Sequence, residues 1–222
     1  AKPAGDFECS NELFNRIHEI TVQTTLTQSP MGVIGGGEPR EKYGYGDGGA
    51  FLTGWVYHLR SDSLFRKWHQ DWRDTQREDG WFKNVAPNFG EDGGGGPSWG
   101  GQASELVRRL SVYYGDKTAA RDAYPALKKY VDYLESHTEN DILRYFDPSN
   151  RSNPTAFNTW QFLGDWTPPH ASESQHDFQF ESIDQREFFN NCYRVLLWQD
   201  LAYFAGLIGD TAERIRCENR LA

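Results

Sequence analysis

The chain has 222 residues, 37% of them hydrophobic, and a formal net charge of −9. That acidity, with no basic face to neutralise phosphates, excludes nucleic acid as a partner; no apolar run reaches membrane-spanning length either. Eight Trp, 11 Tyr and 14 Phe nevertheless give enough large apolar surface for a core, in one large domain or part of one.

The first predicted helix runs from an N-cap at Ser10 to about Gln28, with Leu13, Ile17 and Ile20 at helical spacing. A glycine-rich stretch follows, Gly35 to Gly49, with seven glycines, the carboxylates Glu38, Glu41 and Asp47, the cations Arg40 and Lys42, and two tyrosines. It reads either as a flexible surface loop or as a rigid turn that aims Arg40, Glu41 and Asp47 into a cleft. A second helix begins at Asp47 or Gly49 and ends at Arg60, and a third, capped by Ser61 or Asp62, carries Leu64, Phe65, Trp68 and Trp72 to a stop near Asp79-Gly80. Residues 79–102 make a long loop with Trp81, Phe82, Phe89 and Trp99, an aromatic content that points to function.

Helices are then expected over Gln102–Tyr114 and Lys117–His137, and a short strand over Ile142–Phe146. Residues 141–170 are otherwise irregular and hold the compact signal Phe162-Leu163-Gly164-Asp165-Trp166. A long helix from Asp184 to Leu207 shows Phe189, Cys192, Tyr193, Leu196, Leu197, Tyr203, Phe204 and Leu207 as one wide apolar face, and Gly209 ends it. A further helix starts at Asp210 and stops in mid-pattern at Ala222, which reads as a fragment. Residues 1–10 lack the apolar core of a signal peptide. Cys9, Cys192 and Cys217 are expected to be buried free thiols, since their spacing suits neither a disulfide framework nor a metal site.

Short connections at 60–62, 115–117 and 208–210 alternate with long, aromatic, glycine-rich ones at 29–47, 79–101 and 138–183. Seven helices with this rhythm suit stacked αα-hairpins, which collect all the long loops at one end. No fixed-period repeat accompanies them, so a peptide-binding solenoid is disfavoured. The loops would then gather Glu38, Arg40, Glu41, Asp47, Glu91, Asp92, Trp99, Asp165 and Trp166. Glycosidic cleavage needs an acid to protonate the leaving oxygen and a carboxylate to activate water or attack carbon, with aromatic planes against the sugar. Set against that, Glu91 and Asp92 read as solvated charges, Asp47 also as a helix cap, and Asp165 also as a turn residue. His170 and His176, with Glu173 and Asp177, match no ligand spacing, so neither metal nor cofactor is expected. Ser98 lacks a nucleophile elbow, and Gly93–Gly96 lacks the lysine of a phosphate loop. Asn150-Arg151-Ser152 is a formal glycosylation acceptor.

Arg40-Glu41-Lys42-Tyr43-Gly44-Tyr45-Gly46-Asp47 resembles the Arg-Glu-Lys-x-Gly-Trp-Thr-Gly-Asp segment of bacterial α-L-rhamnosidases, glycoside hydrolase family seventy-eight. Phe7-Glu-Cys-Ser10, Lys67-Trp68 with Asp74-Thr-Gln76 and Asp79-Gly80, Val85-Ala86-Pro87, Gly96-Pro-Ser-Trp99-Gly, Tyr114-Gly115-Asp116 and Leu163-Gly-Asp-Trp166 follow in the family's order. The resemblance implies an all-α fold, an incomplete (α/α)6 six-hairpin barrel with its long loops at one end, of which residues 1–222 form the N-terminal portion. It implies inverting hydrolysis of terminal α-L-rhamnosides with Glu41 as general acid, a carbohydrate partner, and no cofactor or metal. Glu38, Arg40, Tyr45, Asp47, Trp99, Asp165 and Trp166 would bind the sugar.

The chain departs from the family at three places. Ile34-Gly-Gly-Gly-Glu38 stands where an Asp-Cys-Pro run is usual; Tyr45 replaces a Trp, one residue closer to the following Asp; and Gly100-Gly101-Gln102 lacks a common Asp. The family's base is a Glu far downstream, beyond this chain. Another six-hairpin enzyme, an unsaturated-uronyl hydrolase or a lyase, and a non-catalytic sugar-binding module are the alternatives.

Overall fold

The computed structural model describes residues 2–29, 44–45, 48–88, 95–146, 162–164 and 182–222. Within them the chain is all-α, as the loop rhythm implied. In order come α1 (Glu12–Thr27), β1 (Gly44–Tyr45), α2 (Gly48–His58), α3 (Asp62–Asp74), β2 (Val85–Ala86), α4 (Pro97–Gly100), α5 (Gln102–Tyr114), α6 (Lys117–Glu135), β3 (Thr138–Glu139), β4 (Ile142–Leu143), α7 (Ile183–Ile208) and α8 (Thr211–Leu221). The seven expected helices are all present, and α4 is an added single turn inside the second long loop.

Three hairpins, α2/α3, α5/α6 and α7/α8, stand side by side. Helices α2, α5 and α7 touch in succession as one layer, and α3, α6 and α8 pack behind them. Each short connection joins the first layer to the second, and two of the three have a clear local reason. Gly115 and Gly209 take left-handed φ of 68° and 85° to close α5 and α7, and Asp116 and Asp210 accept hydrogen bonds from the first free N–H groups of α6 and α8. The described ends of the three long connections lead into the N-terminal ends of α2, α5 and α7.

Between the layers lies an aromatic core. Trp55, Phe65, Trp68, Trp72, Trp81, Phe82, Tyr130, Phe162 and Phe204 are each no more than 2% exposed. Many meet edge to face, as Trp72 does with Phe82 (ring centres 6.4 Å apart) and Phe82 with Tyr130 (5.0 Å). Gly80 has a structural reason of its own: at φ 109° it sits against the Lys129 carbonyl, which a Cβ there would meet at 2.5 Å.

Several boundaries and burials differ from expectation. Asn11, not Ser10, caps α1, because its side chain accepts from Leu13 N. Leu13, Phe14, Ile17 and Ile20 are all at least half exposed, so the α1 stripe faces no partner among the described residues. Helix α3 ends at Asp74, five residues early, where a separate turn starts: Gly80 N donates to Arg77 O and Arg77 N to Trp81 O. Ile142–Phe146 is a strand only over its first two residues. These pair with β3 across Asn140-Asp141, both at positive φ as a two-residue hairpin turn requires. Of the three free thiols only Cys217 is buried; Cys9 is partly exposed, and Cys192 is exposed on the outer stripe of α7 with Leu196. His69 is buried on α3, and burial pulls its pKa down to about 3, so it stays neutral.

At the end of α6 a carboxylate ties the second layer to the first. Glu135 accepts from Arg194 Nε (2.6 Å), Arg220 Nη2 (2.6 Å) and Trp198 Nε1 (3.1 Å), joining α6, α7 and α8. Burial raises its pKa, but the two guanidinium groups outweigh that and leave it below the ordinary glutamate value. A depressed acid contributes stability above its unfolded pKa and loses it as pH falls through the folded one. Glu135→Gln should therefore cost about 2 kcal/mol at neutral pH. Denaturant titrations at pH 7 and pH 3 check this: the gap between wild type and variant should narrow at the lower pH.

Candidate active site

The three long connections meet where the described parts of each can be followed. β1, which ends the glycine-rich stretch, pairs antiparallel with β2, Gly44 opposite Ala86 and Tyr45 opposite Val85. The Ala86 carbonyl in turn accepts from Trp68 Nε1 at 2.9 Å, which anchors the ladder on the core side of α3. At the start of α2, Gly49 lies so close to Gln102 that a Cβ would fall 1.7 Å from its Oε1. Gln102 Nε2 donates to Ser98 O at 2.9 Å. The first two long loops are thus locked together through main chain and one amide.

The third loop arrives as residues 162–164. Trp99 Nε1 lies 3.5 Å from Gly164 O, and Ser98 Oγ 3.3 Å from Leu163 O. The Asn190 amide stands beneath both: Nδ2 donates to Leu163 O (2.8 Å) and Arg186 O (3.0 Å), while Oδ1 accepts from Ser98 N (3.4 Å) and Ser98 Oγ (3.3 Å). Arg186, 1% exposed, donates to Phe162 O from the turn above. Farther along α7, Glu187 accepts from Tyr145 N and Arg144, Asn191 exchanges hydrogen bonds with both main-chain groups of Leu143, and Arg194 donates to Asp141 O. Five consecutive turn-facing side chains of α7 therefore hold the main chain of the third loop.

Behind this end two helices of the first layer, α5 and α7, are joined by polar groups as well. Asp200, buried, accepts from Ser104 Oγ (2.9 Å) and Arg108 Nη1 (2.6 Å). Burial raises its pKa, and Arg108 offsets this only in part. The phenol of Tyr130, buried beside Gly100, has no hydrogen-bond partner among the described residues, and burial holds its pKa well above the ordinary value. Among the described residues no group of three His, Cys, Asp or Glu is placed to hold a metal ion, and no helix is long and apolar enough to cross a membrane.

Of the site residues read from the sequence, Trp99 is described in full: 8% exposed, on α4, beside Gly164. Tyr45 is described by its main chain, in β1. Glu38, Arg40, Glu41, Asp47, Asp165 and Trp166 lie outside the described residues, as do Glu91, Asp92, His170, Glu173, His176, Asp177 and the Asn150-Arg151-Ser152 acceptor. Reasoning from sequence missed Asn190, Gln102 and the α7 set. Their signal was available: Arg186, Asn190 and Arg194 recur every four residues, in register with buried Leu197, Leu201 and Phe204, where a polar side chain needs a specific partner.

Comparison with known proteins agrees with this geometry. The family model described as bacterial alpha-L-rhamnosidase 6 hairpin glycosidase domain matches residues 2–221. An alpha-L-rhamnosidase of Streptomyces avermitilis is 33% identical over 129 residues, 58% of this chain and 12% of that protein. The structure of alpha-L-rhamnosidase from Dictyoglumus thermophilum superposes with a TM-score of 0.79 at 24% identity, covering 99% of this chain and 22% of its own. The Streptomyces avermitilis alpha-L-rhamnosidase complexed with L-rhamnose gives 0.74 at 23% identity, covering 97% and 19%. The chain therefore spans about an eighth of the first relative's length and a fifth of the two solved chains.

The close fit of the second loop makes a test. A Cβ at Gly95 would stand 2.4 Å from Asn84 Oδ1, 2.6 Å from Trp99 Cβ and 2.8 Å from Gly100 N, with main chain on one side. Gly95→Ala should destabilise by about 1–3 kcal/mol as overpacking does. Differential scanning calorimetry reads this, and an unchanged transition would show that the loop packs more loosely than these distances.

Proposed function

Because the chain belongs to the bacterial α-L-rhamnosidase six-hairpin glycosidase family, we propose that its loop end is the acid-bearing side of an active site that hydrolyses terminal α-L-rhamnosides with inversion. The observation that carries this reading is the meeting of all three long loops beside Trp99, at the N-terminal ends of α5 and α7. An aromatic face on a rigid turn suits a 6-deoxy sugar, whose methyl group packs on it while polar groups hold the hydroxyls.

In this reading Glu41 is the general acid and protonates the leaving glycosidic oxygen. Arg40, Glu38 and Asp47 hold hydroxyls, and Tyr45, Trp99, Asp165 and Trp166 line the sugar subsite. An inverting pair stands about 6.5–9.5 Å apart to leave room for the attacking water. The base then comes from a later part of the same catalytic domain, of which residues 1–222 form the N-terminal portion. The exposed stripe of the first layer supports that division: Phe51, Tyr57, Val112, Val195 and Leu196 are each about half exposed, an apolar surface that further hairpins would cover. Glu41 must be protonated at working pH, so a like charge such as Glu38 or Asp47 close by would help, and Arg40 serves best when turned to the sugar.

The test uses the intact enzyme that carries this chain. Wild type should release β-L-rhamnose from an aryl α-L-rhamnoside, read by NMR at the anomeric proton. Glu41→Gln should lower kcat/KM by about 10²–10⁴-fold, with the larger loss on substrates with poor leaving groups. Sugar affinity without turnover in the wild type would instead make this a binding module, and turnover of other glycosides alone would move the substrate class.

A further inference from the structure

Asn190 has no exposed surface, and the amide is used completely. Both of its hydrogens go to main-chain oxygens, one of them Leu163 O, and its oxygen faces the N–H and hydroxyl of Ser98. Ser98 is the residue before Trp99, and Leu163 the residue before Gly164, to whose carbonyl the Trp99 indole points. One side chain on α7 thus fixes two segments that are 65 residues apart in sequence.

The surroundings admit no other side chain of this kind. A Cβ on Gly96 would stand 2.2 Å from Asn190 Oδ1 and 2.8 Å from its Cγ, so the loop backbone is pressed directly on the amide. A glutamine is one methylene too long for that gap. An aspartate would put carboxylate oxygens against the Leu163 and Arg186 carbonyls, and a leucine would leave Leu163 O only the longer contact from Ser98 Oγ, at 3.3 Å.

We propose that Asn190 is a positioning residue: it sets the Trp99 turn and the 162–164 segment in one fixed geometry on α7, and so shapes the sugar subsite. The second half of this statement rests on the functional reading above; the first stands on the hydrogen bonds alone.

Two variants test it, in the same intact enzyme. Asn190→Ala removes the amide, and Gly96→Ala leaves α7 untouched but displaces it. Hydrogen exchange followed by mass spectrometry should show faster exchange over 95–101 and 162–164 in both, with α6 unchanged. Steady-state kinetics well below each variant's unfolding temperature should show KM for the aryl rhamnoside, and Kd for L-rhamnose, raised about tenfold or more, with kcat changed less. A lower unfolding temperature with unchanged exchange in the two segments and unchanged KM would overturn the proposal, because Asn190 would then be core packing only. Faster exchange with KM and Kd unchanged would overturn its role at the subsite. Faster exchange in an enzyme whose wild type neither binds nor cleaves a rhamnoside would overturn the functional reading and uphold the clamp.

Discussion

Irregular backbone can be buried only where something other than a helix or sheet answers its N–H and C=O groups. In this chain that something is the first half of α7. Arg186, Glu187, Asn190, Asn191 and Arg194 present guanidinium, carboxylate and amide groups to Phe162, Tyr145, Leu163, Leu143 and Asp141. Asn191 does for Leu143 what a neighbouring strand would do, taking its N–H and satisfying its carbonyl. Without these groups the third loop would expose or strand its main chain; Phe146 would lose its seat against Trp81 and Tyr133, and with it the rings of Phe162 and Tyr145 that pack on from there.

The two ends of the hairpin stack are held by different physics. At the short-connection end, glycine caps close α5 and α7 and aspartates cap α6 and α8 locally. At the long-loop end, almost every bond spans distant parts of the chain, and the side chains that make them are neutral amides or buried ions with full sets of partners. Such a network stiffens only when complete, because each member lost leaves another polar group buried and unpaired. The loop end is rigid for the same reason that it is sensitive to change.

This division also explains what could be read from the sequence. Helices with local caps were legible: Gly115-Asp116 and Gly209-Asp210 mark their turns without reference to anything distant. So was the alternation of short and long connections, and hence the end at which the loops meet. Less legible were features decided across the fold. The α3 helix stops at Asp74 because a turn from Arg77 to Trp81 competes with it, and the α1 stripe of Leu13, Ile17 and Ile20 has helical spacing but no partner among the described residues. Nothing local in the sequence marks the partners of Asn190; only the approach of Gly96 and Leu163 gives it a role. For the candidate site, the sequence supplied Trp99 and its neighbours by resemblance, while the residues that hold them came from tertiary contacts alone.

The distance along the chain between Ser98 and Asn190 has a consequence for how the protein is made. The turn that carries Trp99 leaves the ribosome 92 residues ahead of the amide that fixes it. Helices and capped hairpins can form as they emerge, since their contacts are local, but the loop end must wait, its glycines and aromatics unsettled, until α7 is synthesised. The local hairpins can thus form during translation and the loop end only afterwards, so slow or interrupted synthesis before residue 190 would leave α2/α3 and α5/α6 without the amide that fixes their loops.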